Sequence, residues 1–401
     1  MTQVAGMEAP AIARVLLLAD QSAHFAVAGL SQLERLLRTL EECFAAALDR
    51  AAAPEVLVFW KEPGLVAASP SKLPVRHLIA NEPVALPPGG PALVLRTNVV
   101  FRRGALARLL QTPEAPFLTQ GPLPASWEEL DRAIPLALAP DFGWTLETPE
   151  AAPRVERELF RAMGKPTDGL VARTLNRPIS RRVSRWLSQT SITPNQVSFF
   201  VLGLLTAGTI VLTLGSPLGF VVGMLLFHLA SVLDGCDGEL ARAKFLETRR
   251  GAWLDTSVDL LGNFLLPMAI AVGLSRQAGL PVGLGNAYLL EGLLTSAGIA
   301  IGIVGVARVR PAGRADFNDF GSNAVSRFGV SQPLTAFLRG LVDLARRDSY
   351  VLMFVVFAVL GLPQLILHFL AVGIAIHLPV IAWSWWSNAR VGRPLKAADR
   401  S

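Results

Sequence analysis

Residues 231–259 read SVLDGCDGELARAKFLETRRGAWLDTSVD, and this stretch decides the architecture. Asp234, Asp237, Gly238, Ala241 and Arg242 are followed, after eight residues, by Gly251, Asp255 and Asp259, giving D-x2-D-G-x2-A-R-x8-G-x3-D-x3-D. Residues three and four apart share a helix face. Asp234, Asp237, Gly238 and Ala241 therefore line one side of one helix, and Asp255 and Asp259 one side of the next. Four carboxylates can then converge on one point. At residue frequencies of roughly one in fifteen, the fixed positions recur by chance in about one window in 10^9.

The surrounding sequence is apolar, and an ionised side chain at the centre of a bilayer costs roughly 2.5–3.5 kcal/mol on insertion scales. Carboxylates of one sign do not neutralise each other. They need cations, and all-oxygen ligation favours hard ions such as Mg²⁺, Mn²⁺ or Ca²⁺. The glycines permit close approach of backbone or ligand, and Arg242 offers a fork for a phosphate. A solvated helix end, with the carboxylates paired to Lys244, Arg249 and Arg250, explains neither the glycines nor the spacing.

At these residues the chain resembles the CDP-alcohol phosphotransferase (CDP-alcohol phosphatidyltransferase) family, matching its signature at every fixed position, and the resemblance extends over residues 165–386. It implies an all-α six-helix transmembrane bundle that acts as a homodimeric enzyme. Such an enzyme moves a substituted phosphate, for example the phosphatidyl group of CDP-diacylglycerol, from a CDP-linked donor to an alcohol acceptor and releases CMP. By the same resemblance Asp234, Asp237 and Asp255 bind two Mg²⁺ or Mn²⁺ ions, and Asp259 touches a metal and is the catalytic base. Gly238, Ala241 and Arg242 shape the cytidine and phosphate pocket, Gly251 lets the second helix come close, and Asn195 joins the donor-binding set. The chemistry is consistent in itself: two metals about 3.5–4 Å apart neutralise a diphosphate and its leaving group, and a free carboxylate accepts the hydroxyl proton.

Composition agrees with a membrane enzyme. Of 401 residues, 52 % are hydrophobic and only 17 % charged, with a mean hydropathy of +0.44. The apolar weight is uneven. The first 150 residues contain no run near the roughly 18 residues of a span and no signal-peptide pattern, so a cytoplasmic N-terminal domain is expected. Cys43 and Cys236 lie far apart, which argues against a disulfide framework and a thiolate metal site.

Apolar runs follow at 196–215, 218–244, 251–274, 284–307, 350–362 and 363–386. The fifth is short and is expected to begin inside the preceding polar stretch or to tilt. Basic residues cluster on alternate links: Arg242, Lys244, Arg249 and Arg250 flank the link between the second and third runs, seven arginines lie over 308–347, and Arg390, Arg393, Lys396 and Arg400 follow the sixth, against Arg276 alone on the other side. This bias puts both termini and the acidic residues on the cytoplasmic side, in a prokaryotic inner membrane. Trp383, Trp385 and Trp386 read as an interfacial belt.

Before the first span, Ile179, Val183, Trp186 and Leu187 recur at helical spacing among arginines, as in a helix lying in the membrane surface and attracting anionic head groups. Asp168-Gly169, Asn176-Arg177 and Thr193-Pro194-Asn195 are similar to the branch of the family that makes inositol phosphodiesters. Arg346-Arg347-Asp348 either holds a phosphate of acceptor or donor or is a positive-inside flank with one ion pair.

In the N-terminal region, 14–19, 55–60 and 92–95 read as strands and 30–52 and 104–110 as helices, an α/β domain with a mostly parallel sheet. Residues 27–37 are similar to the stretch after the nucleotide loop of sugar-nucleotidyltransferases, a domain that makes CDP-inositol in the inositol branch. Asp20-Gln21-Ser22-Ala23-His24 nevertheless lacks a glycine-rich basic turn, and Thr97-Asn98 stand where a metal aspartate is expected. The expected organisation is a degenerate, inactive nucleotidyltransferase-like α/β domain (1–153), a linker and interfacial helix (154–195), the membrane domain (196–388) and a cytoplasmic tail (389–401). Partners are a CDP-linked donor, an alcohol acceptor and membrane lipids, without nucleic acid. CDP-inositol is the alternative donor, and a metal-binding transporter or scaffold the alternative without catalysis.

Overall fold

The computed structural model describes residues 12, 14–49, 53–67, 70–80, 92–111, 118–119, 126–134, 140–164, 168–281, 283, 285–309 and 346–390. They fall into two compact units. The first comprises Met1–Met163, Arg185–Ser191 and Arg242–Leu246, and the second Gly164–Ser184, Ile192–Ala241 and Glu247–Ser401.

The first unit is α/β. Its elements run β1 (Arg14–Ala19), β2 (Ala26–Val27), β3 (Leu30–Ser31), α1 (Gln32–Cys43), α2 (Ala45–Asp49), β4 (Glu55–Trp60), β5 (Val75–Ile79), β6 (Ala92–Arg96), β7 (Val99–Phe101), α3 (Ala105–Leu110), β8 (Leu118–Thr119), α4 (Trp127–Ala133), β9 (Gly143–Thr145) and α5 (Ala152–Ala162). The main sheet has the order β5-β4-β1-β6-β8. Its first four strands are parallel, with Arg14 opposite both Glu55 and Ala92, and β8 is antiparallel to β6. The inner strands β1 and β6 are nearly continuous apolar runs because both faces are covered. Leu33, Leu36, Leu37 and Leu40 bring the apolar stripe of α1 into the same core as Leu16, Leu17, Phe59 and Trp60.

The predicted helix over 30–52 is interrupted. Ala28 and Gly29 take positive φ and turn β2 back on β3, and the Ser31 hydroxyl then caps α1 by accepting from Glu34 N. Helix starts there and breaks again at Phe44. At the carboxyl end of β1 the strand order reverses, the place where open α/β sheets bind ligands. Here Asp20 accepts from Ser22 N at 2.8 Å, and the buried Ser22 and Thr97 hydroxyls lie 2.8 Å apart. Residues 242–246 close the unit. Phe245, at positive φ, lies between the guanidinium groups of Arg35 and Arg103, 5.8 and 5.7 Å from its ring centre. Arg35 Nη1 donates to Ala243 O at 3.1 Å and Nη2 to Val27 O at 2.6 Å. Burial lowers the Arg35 pKa to about 10, with Glu156 and Glu34 opposing.

The second unit is helical: α6 (Arg177–Ser188, its end in the first unit), α7 (Pro194–Thr213), α8 (Pro217–Lys244), α9 (Arg249–Gln277), α10 (Ala287–Val309), α11 (Arg347–Val359) and α12 (Gln364–Arg390). Among the described residues, four helices are long and apolar enough to cross a membrane: Pro194–Thr213, Pro217–Lys244, Arg249–Gln277 and Ala287–Gly305. They match the first four predicted spans. The α11 helix begins at Arg347, inside the polar stretch, and has 13 residues, which reach about 20 Å against a hydrocarbon core of about 30 Å. The α12 backbone continues through the predicted sixth run; the side chains of its tryptophans, most of the arginine-rich segment 308–345 and the tail from 391 lie outside the described residues.

Packing among these helices uses small residues, since lipid supplies no hydrophobic drive between spans. Gly273 of α9 shows this: a Cβ there would run into the carbonyl oxygen of Leu212 on α7 and lie 2.9 Å from Phe220. Gly273→Leu is therefore expected to lower stability by about 1–3 kcal/mol, read as a lower apparent melting temperature of the detergent-purified chain. An unchanged melting temperature would remove the close α7–α9 contact from the account.

Candidate active site

Two helix starts position the site. The α7 helix opens on a capping box, with Gln196 N donating to the Thr193 hydroxyl, Thr193 N to the Gln196 side chain, and Pro194 at the first position. The α9 helix opens at Thr248, whose hydroxyl accepts from Gly251 N at 3.0 Å. A Cβ at Gly251 would lie 3.1 Å from both Asn195 Oδ1 and Thr248 Oγ1, so the glycine keeps the start of α9 beside the start of α7.

All four aspartates lie in one electrostatic neighbourhood: the charges acting on Asp234 are those of Asp259, Arg347, Asp255 and Asp237. Asp237 is buried and accepts from the Ser198 hydroxyl of α7 at 2.6 Å and from Gly238 N. Asp259 forms an ion pair with Arg347 of α11. One turn further on, the Tyr350 hydroxyl donates to Asn263 Oδ1 at 3.3 Å. Asp348 accepts from Asn176 Nδ2 and the Ser231 hydroxyl, each at 3.1 Å. Ala241 is buried. Arg242 falls in the first unit, where its carbonyl accepts from Arg103 Nη1 at 3.5 Å.

Of the two arginines left open in sequence, Arg347 therefore meets an acidic residue of the motif, while the Arg346 side chain crosses Gly169, where a Cβ would lie 2.7 Å from Arg346 Cδ. Ser198, Asn263, Tyr350 and Ser231 were not singled out in sequence. Their partners are 39, 87 and 117 residues away, and only a hydroxyl or amide in an apolar helix hinted at them.

The donor set is chemically suited to a hard divalent cation, since it is all carboxylate oxygen, and a guanidinium supplies positive charge among these oxygens. Among the described residues, no three His, Cys, Asp or Glu side chains are gathered closely enough to hold an ion as they stand. Asp259 is turned to Arg347 and Asp237 to Ser198 instead.

The face of α6 differs in part from its sequence reading. Ile179 and Trp186 are exposed, but Leu187 is buried together with Ser180, Ser184 and Ser188, because it follows Ser180 by seven residues and Ser184 by three and so shares their face. Burial opposes the charge of Arg177, yet its hydrogen bonds to Asp168 and the nearby Glu239 raise its pKa above the ordinary arginine value.

Residues 191–317 match the sequence profile of the CDP-alcohol phosphatidyltransferase family, a segment that holds every fixed position of the acidic motif. The chain is similar to proteins named bifunctional IPC transferase and DIPP synthase. That of Thermococcus kodakarensis is 40 % identical over 151 residues, 36 % of this chain and 33 % of the relative. The Aquifex aeolicus protein is 35 % identical over 145 residues, 35 % and 32 % of the two chains, and the Archaeoglobus fulgidus protein 34 % identical over 130 residues, 32 % and 25 %. The chain thus matches about a third or less of the length of these curated relatives.

If Arg347 competes with a divalent cation for the carboxylates, Arg347→Gln should bind Mn²⁺ several-fold more tightly than the parent chain, because a unit charge beside the site is removed. Electron paramagnetic resonance of free Mn²⁺ reads this directly; equal or weaker binding would show that the arginine does not oppose the ion.

Proposed function

We propose that this chain is an integral membrane CDP-alcohol phosphotransferase that transfers a substituted phosphate from a CDP-linked donor such as CDP-diacylglycerol to an alcohol acceptor and releases CMP. One observation carries the reading: the complete acidic motif lies within the segment matched by the family profile, and its aspartates share one neighbourhood with Arg347. In this reading α7 to α12 form the six-helix bundle, with the short α11 tilted or extended by polar residues, and the enzyme works as a homodimer.

Asp234, Asp237, Asp255 and Asp259 would hold two Mg²⁺ or Mn²⁺ ions, which when bound neutralise the diphosphate and the departing CMP. Ser198 keeps one Asp237 oxygen directed by its hydrogen bond, leaving the other carboxylates to turn. Asp259 leaves Arg347 and accepts the proton of the acceptor hydroxyl. The hydroxyl oxygen bonds to the phosphorus bearing the transferred substituent as the bridging bond to CMP breaks, and Arg347, released, donates to the phosphoryl oxygens. Gly238, Ala241, Arg242, Gly251 and Asn195 form the donor pocket, and Arg346 serves the acceptor or donor phosphate. The exposed Ile179 and Trp186 support an interfacial α6 among anionic lipids.

A second reading takes CDP-inositol as donor. It is favoured by the relatives that carry two named activities and by the α/β unit. In the first unit the turn after β1 holds the Asp20 cap and Ser22, whose hydroxyl pairs with Thr97 at the end of β6, where phosphate-binding amides would be needed, which supports an inactive nucleotidyltransferase-like domain.

CMP release by the purified chain is expected to require a divalent metal and to be abolished by chelator, Asp234→Asn or Asp255→Asn. Asp259→Asn should stop turnover while donor binding, read by titration, stays measurable; normal turnover would assign the base elsewhere. A panel of CDP-linked donors and alcohols scored by mass spectrometry separates the two readings from a transporter or scaffold, which releases no CMP.

The same chain should form no CDP-inositol from CTP and inositol phosphate, and any such product would make it bifunctional. Cysteines placed between Arg249 and Arg250 should be labelled from the cytoplasmic side, in a prokaryotic inner membrane, and one at Gln277 from outside. Outside labelling of the first site would invert the topology and withdraw the donor site from the cytoplasmic nucleotide pool.

A further inference from the structure

Glu239 lies two residues beyond Asp237 and is almost wholly buried, at 1 % exposure. Around the α8 helix it stands about 140° from Asp234 and about 160° from Asp237, but only about 40° from Gly235. The helix thus presents two acidic faces, and Glu239 belongs to the one turned from the metal-binding set. Among the described residues, the donors to Glu239 come from α6. Arg177 Nη1 donates to Glu239 Oε1 at 3.0 Å, the Ser180 hydroxyl to the same oxygen at 3.0 Å, and the Ser184 hydroxyl to Oε2 at 2.7 Å.

Arg177 is itself fixed from behind by a bidentate pair with Asp168, Nε and Nη2 each at 2.9 Å. It passes directly over Gly235, where a Cβ would lie 2.6 Å from Nη1, so no larger residue fits between Asp234 and Cys236 while this contact stands. A carboxylate without donors in this position is costly, and a buried charge that loses one partner is penalised more than the pair was worth. Any rotation of α8 about its axis would separate Glu239 from all three donors at once.

We propose that Glu239 is a positioning residue: clasped by Arg177, Ser180 and Ser184, it sets the rotation of α8 and thereby aims Asp234 and Asp237 at Asp255 and Asp259. The role rests on the transferase reading of the acidic site for its effect on turnover, and on the cluster alone for its effect on cation binding. It also assigns Ser180, Ser184 and the Asp168–Arg177 pair a common purpose: they make one side of α6 into the cradle for a carboxylate.

The test measures Mn²⁺ affinity by electron paramagnetic resonance together with kcat and KM for CMP release, in the full-length parent chain, Glu239→Ala and Glu239→Gln. Glu239→Ala should bind Mn²⁺ at least tenfold more weakly and lose roughly 10²-fold in kcat, the scale expected from a small misplacement of reacting groups, with acceptor KM little changed. Glu239→Gln, which keeps the shape and the hydroxyl contacts, should fall only several-fold in both.

A covalent tie provides the rescue. The Cys236 thiol faces Ser180 O at 3.5 Å and the Ser184 hydroxyl, so Ser184→Cys in the Glu239→Ala background offers a disulfide in place of the clasp. Its oxidised form should regain Mn²⁺ affinity and its reduced form lose it again.

Parent-like affinity and kcat in Glu239→Ala, or equal behaviour of the oxidised and reduced rescue forms, would overturn the proposal. If Glu239→Ala is not recovered as a monodisperse species, Glu239→Gln decides, and parent-like values there overturn it. If the parent chain releases no CMP from any donor, the transferase reading fails, while the Mn²⁺ affinities still decide whether Glu239 aims the aspartates.

Discussion

Like charges in an apolar helix bundle impose one constraint from which much of this molecule follows: each buried or half-buried carboxylate must face a cation or a donor. The chain meets it differently at each position. Asp237 is given a serine, Asp259 an arginine, Asp348 an asparagine and a serine, and Glu239 an arginine and two serines. Polar residues on α6, α7 and α11 are therefore placed by the acids of α8 and α9, and these helices come together where their own apolar stripes give little direction.

In the proposed reading, the pairing of Asp259 with Arg347 also accounts for how such a site stays tolerable before cations bind. An arginine that contributes charge when no ion is present is the same group that can hold a phosphoryl oxygen when the ion has taken its place. In that reading one side chain would serve two states of the site.

Much of this was legible in sequence, for reasons that differ by element. The bounds of β1 and β4 were read to the residue because a strand covered on both faces is an unbroken apolar run with polar ends. The four long spans were found within about three residues because length and hydropathy decide them. The β5 strand, VRHLI, was missed since it alternates weakly and carries charge at an outer position. The α1 helix was overextended because only the positive φ of Ala28 and Gly29 reveals the hairpin before it. Glu239 was passed over although it is buried more deeply than Asp237 beside it. Its partner Arg177 is 62 residues away, and a pattern built on regular spacing has no place for an acid facing the other way.

The two guanidinium groups around Phe245 have a consequence for ionic strength. Exposed charges farther apart than a Debye length of about 8 Å at physiological salt are largely screened, so in the proposed reading the arginine-rich outer face of α6 would bind anionic surfaces less as salt rises. Arg35 instead stacks on an aromatic ring and donates to neutral carbonyls at Ala243 and Val27 while buried. Those interactions are short-ranged and shielded from mobile ions, so the end of the acidic helix should keep its shape across salt conditions that would weaken an exposed basic surface's hold on charged lipid.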